Sequence, residues 1–292
     1  MQKADFEFEV LIREDCSTDG TREIVLDYAA AHPEKIRLLL SDVNIGSVRI
    51  VERALDAARG DYIAMLDGDD YWTSPYKLEK QARFMDAHPE YSLCFHYQEL
   101  VDAEGEPLPY DNPHTSKLSW SLEEILADCP IGTGSAFLRR SMLPPLPDWF
   151  FLCPYGDFPI CVLCMQNGPA GYLDDSLGAY RIHGKGFYNG LKSWEQDLLF
   201  QYTRRQVYPH LAPKHQKQFA KLIAGQWVGL AMRRRLEGDR LASREIAMEG
   251  LADCPHDVRL RLLAHAPLLY VPMRSIWRGW RRMCGEKFQD LD

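Results

Sequence analysis

The residues best suited to chemistry form an acidic cluster after a short apolar segment. Residues 62–66 predict a buried strand, and the next four positions are Asp67, Gly68, Asp69 and Asp70. Carboxylates this close repel one another, and a glycine-containing bend places them at the solvent end of the strand. A hard divalent cation such as Mg²⁺ or Mn²⁺ relieves that repulsion and commonly lies between carboxylates and a phosphorylated substrate. A solvated turn is the alternative that the residues alone leave open.

A second polar cluster follows another predicted strand. Residues 6–12 alternate and then become apolar, which is typical of a strand entering a sheet. Glu14, Asp15 and Asp19 come next, within a run of small polar residues that bond backbone groups and cap helices. This second cluster therefore also lies where a strand ends.

The elements around these clusters predict an α/β fold. Strands over 6–12, 36–40 and 62–66 alternate with amphipathic helices over 22–31 and 50–58. This order predicts a parallel sheet with helices on both faces, and ligands of such sheets bind beyond the carboxyl ends of the strands. The two acidic clusters should therefore line one crevice.

Composition and charge limit the function classes. The chain has 292 residues, of which 46% are hydrophobic, so it can bury a full core. Residues 1–199 hold 17 Lys and Arg against 33 Asp and Glu, whereas residues 200–292 hold 17 against 9. The eight cysteines are scattered, which favours a reducing cytoplasm. No signal peptide, apolar run of membrane-spanning length or nucleic-acid module is recognisable, so we expect no nucleic-acid partner.

Three segments of the sequence resemble family 2 glycosyltransferases of the GT-A fold. They are FEVLIREDCSTDGTREIV, NIG and GDYIAMLDGDDYWTSPYKLEKQ, and the resemblance spans roughly residues 6–186. It implies a Rossmann-like, mixed and mainly parallel sheet flanked by helices. It also implies inverting, metal-dependent transfer from a nucleotide sugar, with a UDP-sugar favoured. The acceptor would be a carbohydrate or a lipid-linked molecule, as in cell-surface polysaccharide synthesis.

The resemblance assigns roles to the two acidic clusters. Asp15 matches the residue that contacts the nucleoside, with Glu14 beside it and Asp19 and Asn44 nearby. In the other cluster the Mn²⁺ or Mg²⁺ ion and the diphosphate would be held by Asp69 and Asp70, with Asp67 in support.

Three further residues complete the predicted site. Asp157 begins an apolar helix and reads as a helix cap, but its match in the family is the catalytic base. Arg181 and His183 are two positions apart and share one face of a strand. They are predicted to meet the diphosphate and the metal, respectively, or else to form a hydrogen-bonded pair at the domain edge. Gly132 and Gly134 are interpreted as an acceptor-site wall that a ligand approaches closely.

Two departures from the family pattern qualify this prediction. Met1 falls where relatives are completing their first helix. Either Met1 is an internal methionine of a longer chain, or the catalytic domain, placed at 1–188, is N-terminally truncated. Val51 and Glu52 stand where many relatives carry an Arg-Asn pair. The competing hypothesis is therefore a catalytically silent binding or scaffold protein.

Residues 189–292 resemble no known module and are predicted to form a helical, basic C-terminal region. Within it, residues 272–284 carry tryptophans and arginines at helical spacing. Such a helix can lie on an anionic bilayer, or it can pack on the acidic surface of the catalytic domain. The first alternative predicts a protein that is peripheral on the cytoplasmic face of a membrane.

Overall fold

A computed structural model describes residues 2–109, 117–184 and 186–265. The chain divides into two compact units, Met1–His215 and Gln216–Asp292. The first unit thus runs past the boundary at 188 that the sequence predicts for the catalytic domain. The predicted membrane-binding segment, 272–284, lies outside the described residues, as do residues 110–116, which belong to a loop that the prolines and glycine of residues 102–118 predict.

The described secondary structure alternates strands and helices in the first unit and is helical thereafter. The strands are β1 Val10–Asp15, β2 Ile36–Ser41, β3 Tyr62–Ala64, β4 Leu93–Val101, β5 Ser119–Trp120, β6 Phe137–Arg139 and β7 Ala170–Arg181. The helices are α1 Thr21–Ala31, α2 Ser47–Ala57, α3 Lys77–Ala87, α4 Leu122–Ala127, α5 Asp157–Met165, α6 Ser193–Val207, α7 Pro213–Leu236, α8 Arg240–Asp253 and α9 Val258–His265. The mixed α/β class is as expected.

The sheet arrangement differs from the single parallel sheet that the sequence predicts. β1 and β2 pair in parallel by themselves, and a separate five-stranded sheet has the order β3-β6-β4-β7-β5. Within that sheet only β4 and β7 pair in parallel. The physical reason is that the short strand β6 inserts between β3 and β4 and runs against both, so β3 extends this sheet instead of joining β1.

β1 also begins later than predicted. Its ladder with β2 runs from Val10 opposite Ile36 to Asp15 opposite Ser41. Glu14 and Asp15 are therefore the last residues of the strand itself rather than part of the following loop. Because a ladder fixes the backbone of every residue in it, these two carboxylates project from a rigid element.

The main core of the first unit lies between α3 and the five-stranded sheet, with α5 buried from Phe158 to Met165. α4 begins with a capping box, which the spacing of Ser121 and Glu124 in the sequence predicts: the Ser121 hydroxyl accepts from the Glu124 amide, and the Glu124 carboxylate accepts from the Ser121 amide.

The second unit packs its helices around Trp227, which is fully buried. Gly250 on α8 lets the backbone approach closely, because a Cβ there would lie 2.8 Å from the Trp227 Cβ. The Trp227 indole donates to the Asp253 carboxylate at 2.8 Å. Among the helices that the structure describes, none combines the length and hydropathy needed to cross a membrane.

Candidate active site

The acidic loop after β3 is fixed beside the end of β7. The Asp70 amide donates to the Asp67 carbonyl at 3.2 Å, which closes a tight turn. The next residue, Tyr71, exchanges backbone hydrogen bonds with Ala179, at 2.8 and 3.4 Å. This bridge places the carboxylates of the loop next to the last residues of β7.

Asp69 and Asp70 each contact the segment that follows. His183 Nε2 lies 2.9 Å from Asp69 Oδ2, and the Arg181 amide donates to Asp70 Oδ1 at 2.9 Å. The structure therefore brings together the acidic loop, Arg181 and His183, which the sequence predicts to share one site. Only 8% of Asp70 is exposed. Burial raises the Asp70 pKa to about 6, against the lowering effect of the Arg181 amide.

The Arg181 guanidinium binds backbone carbonyl groups. It donates to the carbonyls of Asp69 at 3.0 Å and Ala103 at 2.7 Å, and it lies 5.4 Å from the centre of the Tyr71 ring. These contacts tie the acidic loop to the loop after β4. Arg181 therefore bonds backbone carbonyls and is not paired with His183 through these bonds, and its predicted contact with the diphosphate stays a prediction.

Two carboxylates of the other acidic cluster, Glu14 and Asp19, accept hydrogen bonds from residues close by in the chain. Glu14 accepts from the Ser17 amide and, at 2.6 Å, from Arg22 Nε, and these bonds lower its pKa. Asp19 accepts from the Thr21 amide at 3.1 Å, which lowers its pKa. Both residues fix the entrance to α1.

Asp15 organises the turn that begins at Asn44. Its two carboxylate oxygens accept the amides of Ile45 and Gly46, each at 2.8 Å. The Asn44 side chain accepts from Gly46 at 3.2 Å. Gly46 has a φ of 88°, a conformation that favours glycine. The structure thus brings Asp15 and Asn44 together at the carboxyl end of β1.

Asp157 begins α5 and meets a threonine from the turn before β6. Thr133 Oγ1 donates to Asp157 Oδ2 at 3.1 Å, and the Phe158 amide donates to Oδ1 at 2.9 Å. Burial of the carboxyl group raises the Asp157 pKa, whereas these hydrogen bonds and the charge of Arg13 lower it. The helix cap position is occupied by Gly156, so Asp157 is not the cap that its place in the sequence suggests.

Arg13 connects β1 to the acidic loop. It projects from β1, and its guanidinium lies 3.5 Å from Asp67 Oδ1. Burial raises the Asp67 pKa, Arg13 lowers it, and the charges of Asp157 and Asp69 raise it further. Arg13 of β1 and Asp67, which follows β3, are therefore in contact, and the charges of Arg13 and Asp157 both act on the Asp67 carboxyl group. The predicted crevice between the two acidic clusters stays a prediction.

Comparison with known proteins decides the family. Residues 2–142 match the family model described as glycosyl transferase family 2. This part of the chain is a family 2 glycosyltransferase domain. The protein is a glycosyltransferase, and this favours an enzyme over a silent scaffold.

Two relatives and one solved structure show the extent of the similarity. The uncharacterized protein Rv1520 of Mycobacterium tuberculosis is 28% identical over 99% of this chain and 82% of its own length. The UDP-Glc:alpha-D-GlcNAc-diphosphoundecaprenol beta-1,3-glucosyltransferase WfgD of Escherichia coli is 30% identical over 47% of this chain and 51% of its own. The mannosyltransferase PcManGT of Pyrobaculum calidifontis, solved with GDP-Man and Mn²⁺, has a TM-score of 0.55 at 18% identity. That match covers 96% of this chain and 76% of PcManGT, and it supports the GT-A fold.

The carboxylates of the acidic loop in this glycosyltransferase are ligands of the kind that a divalent cation binds. Asp70 Oδ2 is buried and has no hydrogen-bond partner among the described residues, which leaves a carboxylate oxygen for another ligand. No group of three or more His, Cys, Asp or Glu side chains forms a preformed metal site in the part of the chain that the structure describes. Mg²⁺ is commonly bound through one or two carboxylates plus substrate phosphates, so this ligand set suits a metal that arrives with a diphosphate.

Sequence reasoning missed Arg13, Thr133 and Gln98. The space above Gly132 and Gly134 is filled by the Gln98 side chain, because a Cβ on either glycine would overlap its amide group. The expectation that a ligand approaches these glycines directly is therefore wrong. For Gln98 the sequence offered one signal, because it is a polar residue that lies two positions after a buried residue of β4. Thr133 gave none, because its role depends on the fold of the turn.

Proposed function

We propose that this glycosyltransferase transfers a sugar from a nucleotide sugar, with a UDP-sugar favoured, to a carbohydrate or lipid-linked acceptor with inversion. One observation carries the proposal. The Asp157 carboxylate, which accepts a hydrogen bond from Thr133, lies close enough to Asp67 of the acidic loop for its charge to raise the Asp67 pKa, and Asp67 in turn contacts Arg13. WfgD, whose name gives a UDP-sugar donor and a lipid-linked acceptor, and PcManGT, solved with a nucleotide sugar, support the choice of substrates.

The donor would lie across the ends of β1 and β3. Asp15, Glu14, Asp19 and Asn44 are the residues proposed for the nucleoside side of the crevice. Asp67 and the positively charged Arg181 are proposed for the diphosphate side. Arg181 would act there through its charge and through the loop that it holds, since its guanidinium already donates to three carbonyls.

Asp69, Asp70 and His183 would hold a Mn²⁺ or Mg²⁺ ion. When bound, the ion would supply positive charge that stabilises the departing diphosphate. His183 and Asp69 lie 2.9 Å apart and present one nitrogen and one oxygen ligand. The unpartnered oxygen of Asp70 would supply a further ligand, and the diphosphate would supply others, since these side chains form no preformed site by themselves among the described residues.

Asp157 is proposed as the general base. Its raised pKa moves it towards the operating pH, which favours proton transfer from an acceptor hydroxyl. As the proton moves to Asp157, the acceptor oxygen forms a bond to the anomeric carbon. The bond from that carbon to the diphosphate oxygen breaks on the opposite face, and the configuration inverts.

The acceptor side is proposed to include aromatic surface near Asp157. Phe187 is 66% exposed and Tyr188 is 38% exposed, and Tyr188 packs edge-on against Tyr155, two residues before Asp157. Exposed aromatic rings suit the apolar faces of a sugar. A lipid-linked acceptor would place the enzyme at the cytoplasmic face of a membrane, where residues 272–284 are proposed to contact the lipid.

The test uses Asp157→Asn and Asp69→Asn, with the exposed Asp56→Asn of α2 as the control. Hydrolysis or transfer is measured with UDP-glucose and GDP-mannose in the presence of Mn²⁺. We expect Asp157→Asn to bind UDP like the parent and to lose roughly 10²–10⁴-fold in turnover. Asp69→Asn should bind UDP more weakly than the parent when Mn²⁺ is present. Parent-like turnover in Asp157→Asn contradicts the base, and parent-like UDP affinity in Asp69→Asn contradicts the metal ligand.

A further inference from the structure

Thr133 is placed to control the Asp157 carboxylate. It is the first residue of a three-residue 3-10 turn, Thr133–Ser135, that leads into β6. Its hydroxyl donates to Asp157 Oδ2 at 3.1 Å, while the Phe158 amide donates to Oδ1 at 2.9 Å. Each carboxylate oxygen thus has one donor and keeps lone-pair capacity for a second.

The turn that carries Thr133 is held from behind. Gln81 of α3, which is fully buried, donates to the Ser135 carbonyl at 2.9 Å. Trp72, which follows the acidic loop, donates its indole hydrogen to the Gly134 carbonyl at 2.9 Å. Because two side chains from different segments fix consecutive carbonyls, the position of the Thr133 hydroxyl relative to α5 is fixed as well.

We propose that Thr133 is a positioning residue for the transfer reaction, which sets the orientation of the Asp157 carboxylate and favours its anionic form. The inference rests on the proposed role of Asp157 as base. A carboxylate without this donor could rotate about its terminal torsion, and a base that is misaligned with the acceptor hydroxyl loses rate. A hydrogen bond to the charged form also favours that form over the protonated one.

Several other groups influence the protonation of Asp157 from the elements around it. Arg13 of β1 favours the anion, and Asp67, which follows β3, opposes it. The remaining groups are thiols and phenols whose pKa values burial raises, so they stay neutral near pH 7: Cys129, Cys161, Tyr155 and Tyr188. The Thr133 hydroxyl also lowers the pKa of Asp67, so an experiment must separate the two carboxylates.

The first experiment needs no substrate. The free energy of unfolding is measured for the parent, Thr133→Val, Asp157→Asn and the double variant, at neutral pH and at a pH low enough to protonate Asp157. The lost bond is to an anion, so Thr133→Val should cost more stability at neutral than at acid pH. This pH dependence should shrink in the Asp157→Asn background, while any part that reflects Asp67 should persist. A cost of Thr133→Val that is unaffected by Asp157→Asn would overturn the proposed contact.

The second experiment measures function with UDP-glucose and Mn²⁺. Thr133→Val should move the acidic limb of the kcat/KM profile upwards by about one pH unit and lower kcat more than it changes the donor KM. Thr133→Ser, which keeps the hydroxyl, should restore both. The matched control is Ser135→Ala, which removes a hydroxyl of the same turn that bonds only within the turn, to Gly132, among the described residues. It should leave the acidic limb in place.

The outcomes separate the inference from the proposed function. An unshifted acidic limb in Thr133→Val, or a shift of the same size in Ser135→Ala, overturns the positioning role. Parent-like turnover in Asp157→Asn contradicts the proposed base, which is a different failure and leaves the Thr133–Asp157 contact measurable by unfolding. If Thr133→Val does not fold, Thr133→Ala removes the same hydroxyl and leaves a smaller side chain.

Discussion

Lys77 shows how a single residue in the core supports the site. Its side chain is fully buried, and its amine lies 4.1 Å from the centre of the Trp72 ring. No hydrogen-bond acceptor contacts that amine among the described residues. Burial lowers the Lys77 pKa to about 7, whereas its ordinary value is 10.5. Trp72 in turn bonds to the turn that carries Thr133, so Lys77 contacts a side chain that holds the site, and its burial carries a cost in desolvation.

We expect Lys77→Met to be more stable than the parent below pH 7, by about 1–3 kcal/mol, because it removes a buried charge that the cation–π contact offsets only in part. The sign with pH follows from the lowered pKa. The folded parent gives up its proton near pH 7 and the unfolded chain keeps it to about pH 10, so the stability of the parent rises across this range. The advantage of Lys77→Met should therefore fall as the pH is raised, as measured by urea unfolding at each pH.

The control for that prediction is Lys80→Met on the same helix. Lys80 is exposed and forms a 2.8 Å ion pair with Asp175, so its removal should change stability by less than about 1 kcal/mol. If the stability difference between Lys77→Met and the parent is the same at every pH, the Lys77 amine is not buried in its charged form.

At the scale of elements, α6 belongs to the first unit and supports the start of α5. Phe200 packs edge-on against Phe158, with ring centres 4.9 Å apart. Arg204 is 1% exposed and donates to the carbonyls of Leu126 and Ala127, at 3.1 and 3.3 Å. These carbonyls belong to the last two residues of α4. The buried guanidinium on α6 therefore provides hydrogen-bond donors for carbonyls at the carboxyl end of α4.

Arg204→Met should destabilise the protein by about 2–4 kcal/mol, because it removes charge-assisted hydrogen bonds and leaves buried carbonyls unsatisfied. The measurement is thermal or urea unfolding, with Arg205→Met at the next position of α6 as the matched control. Arg205 is only partly buried and lies over the Tyr202 ring at 5.2 Å, so we expect a loss below about 1 kcal/mol. Equal losses in the two variants would contradict the capping role of Arg204.

Most elements could be predicted from the sequence because their signals are local. The periodicity of α1, α2 and α3 and the capping box of α4 place these helices within a few residues. The pairing of strands could not be predicted, because it depends on contacts distant in sequence. β7 in particular is a twelve-residue strand whose glycines and paired aspartates resemble a turn, and its ladder with β4 makes it a strand.

The same distinction holds for the site. Residue types point to the acidic loop, the family resemblance adds Asp157 and His183, and the structure brings the acidic loop together with His183. The side-chain partners follow from packing instead. Arg13 occupies an ordinary strand position, and nothing in its neighbours indicates that it will face Asp67 across two sheets. Thr133 reaches Asp157 only because Gln81 and Trp72 fix the turn between them.

At the scale of the whole molecule, charge is divided along the chain. Residues 1–199 carry 16 more acidic than basic side chains, and residues 200–292 carry 8 more basic than acidic ones. An anionic bilayer attracts basic segments by about 1 kcal/mol for each Lys or Arg near its surface, and salt weakens this attraction. Residues 272–284 contain Arg274, Arg278, Arg281 and Arg282, together with Trp277 and Trp280.

We therefore expect the full chain to co-sediment with vesicles of anionic phospholipid, to bind neutral vesicles less, and to be released by high salt. Trp277→Ala with Trp280→Ala should weaken binding by roughly tenfold or more, because tryptophan supplies apolar area at the headgroup level. The matched control replaces Leu241 and Val258, which are 66% and 65% exposed in the second unit, by alanine. If general apolar exposure drives binding, both pairs weaken it equally. If only the tryptophan pair does, segment 272–284 is the membrane contact, and binding that is absent from anionic vesicles contradicts the membrane proposal.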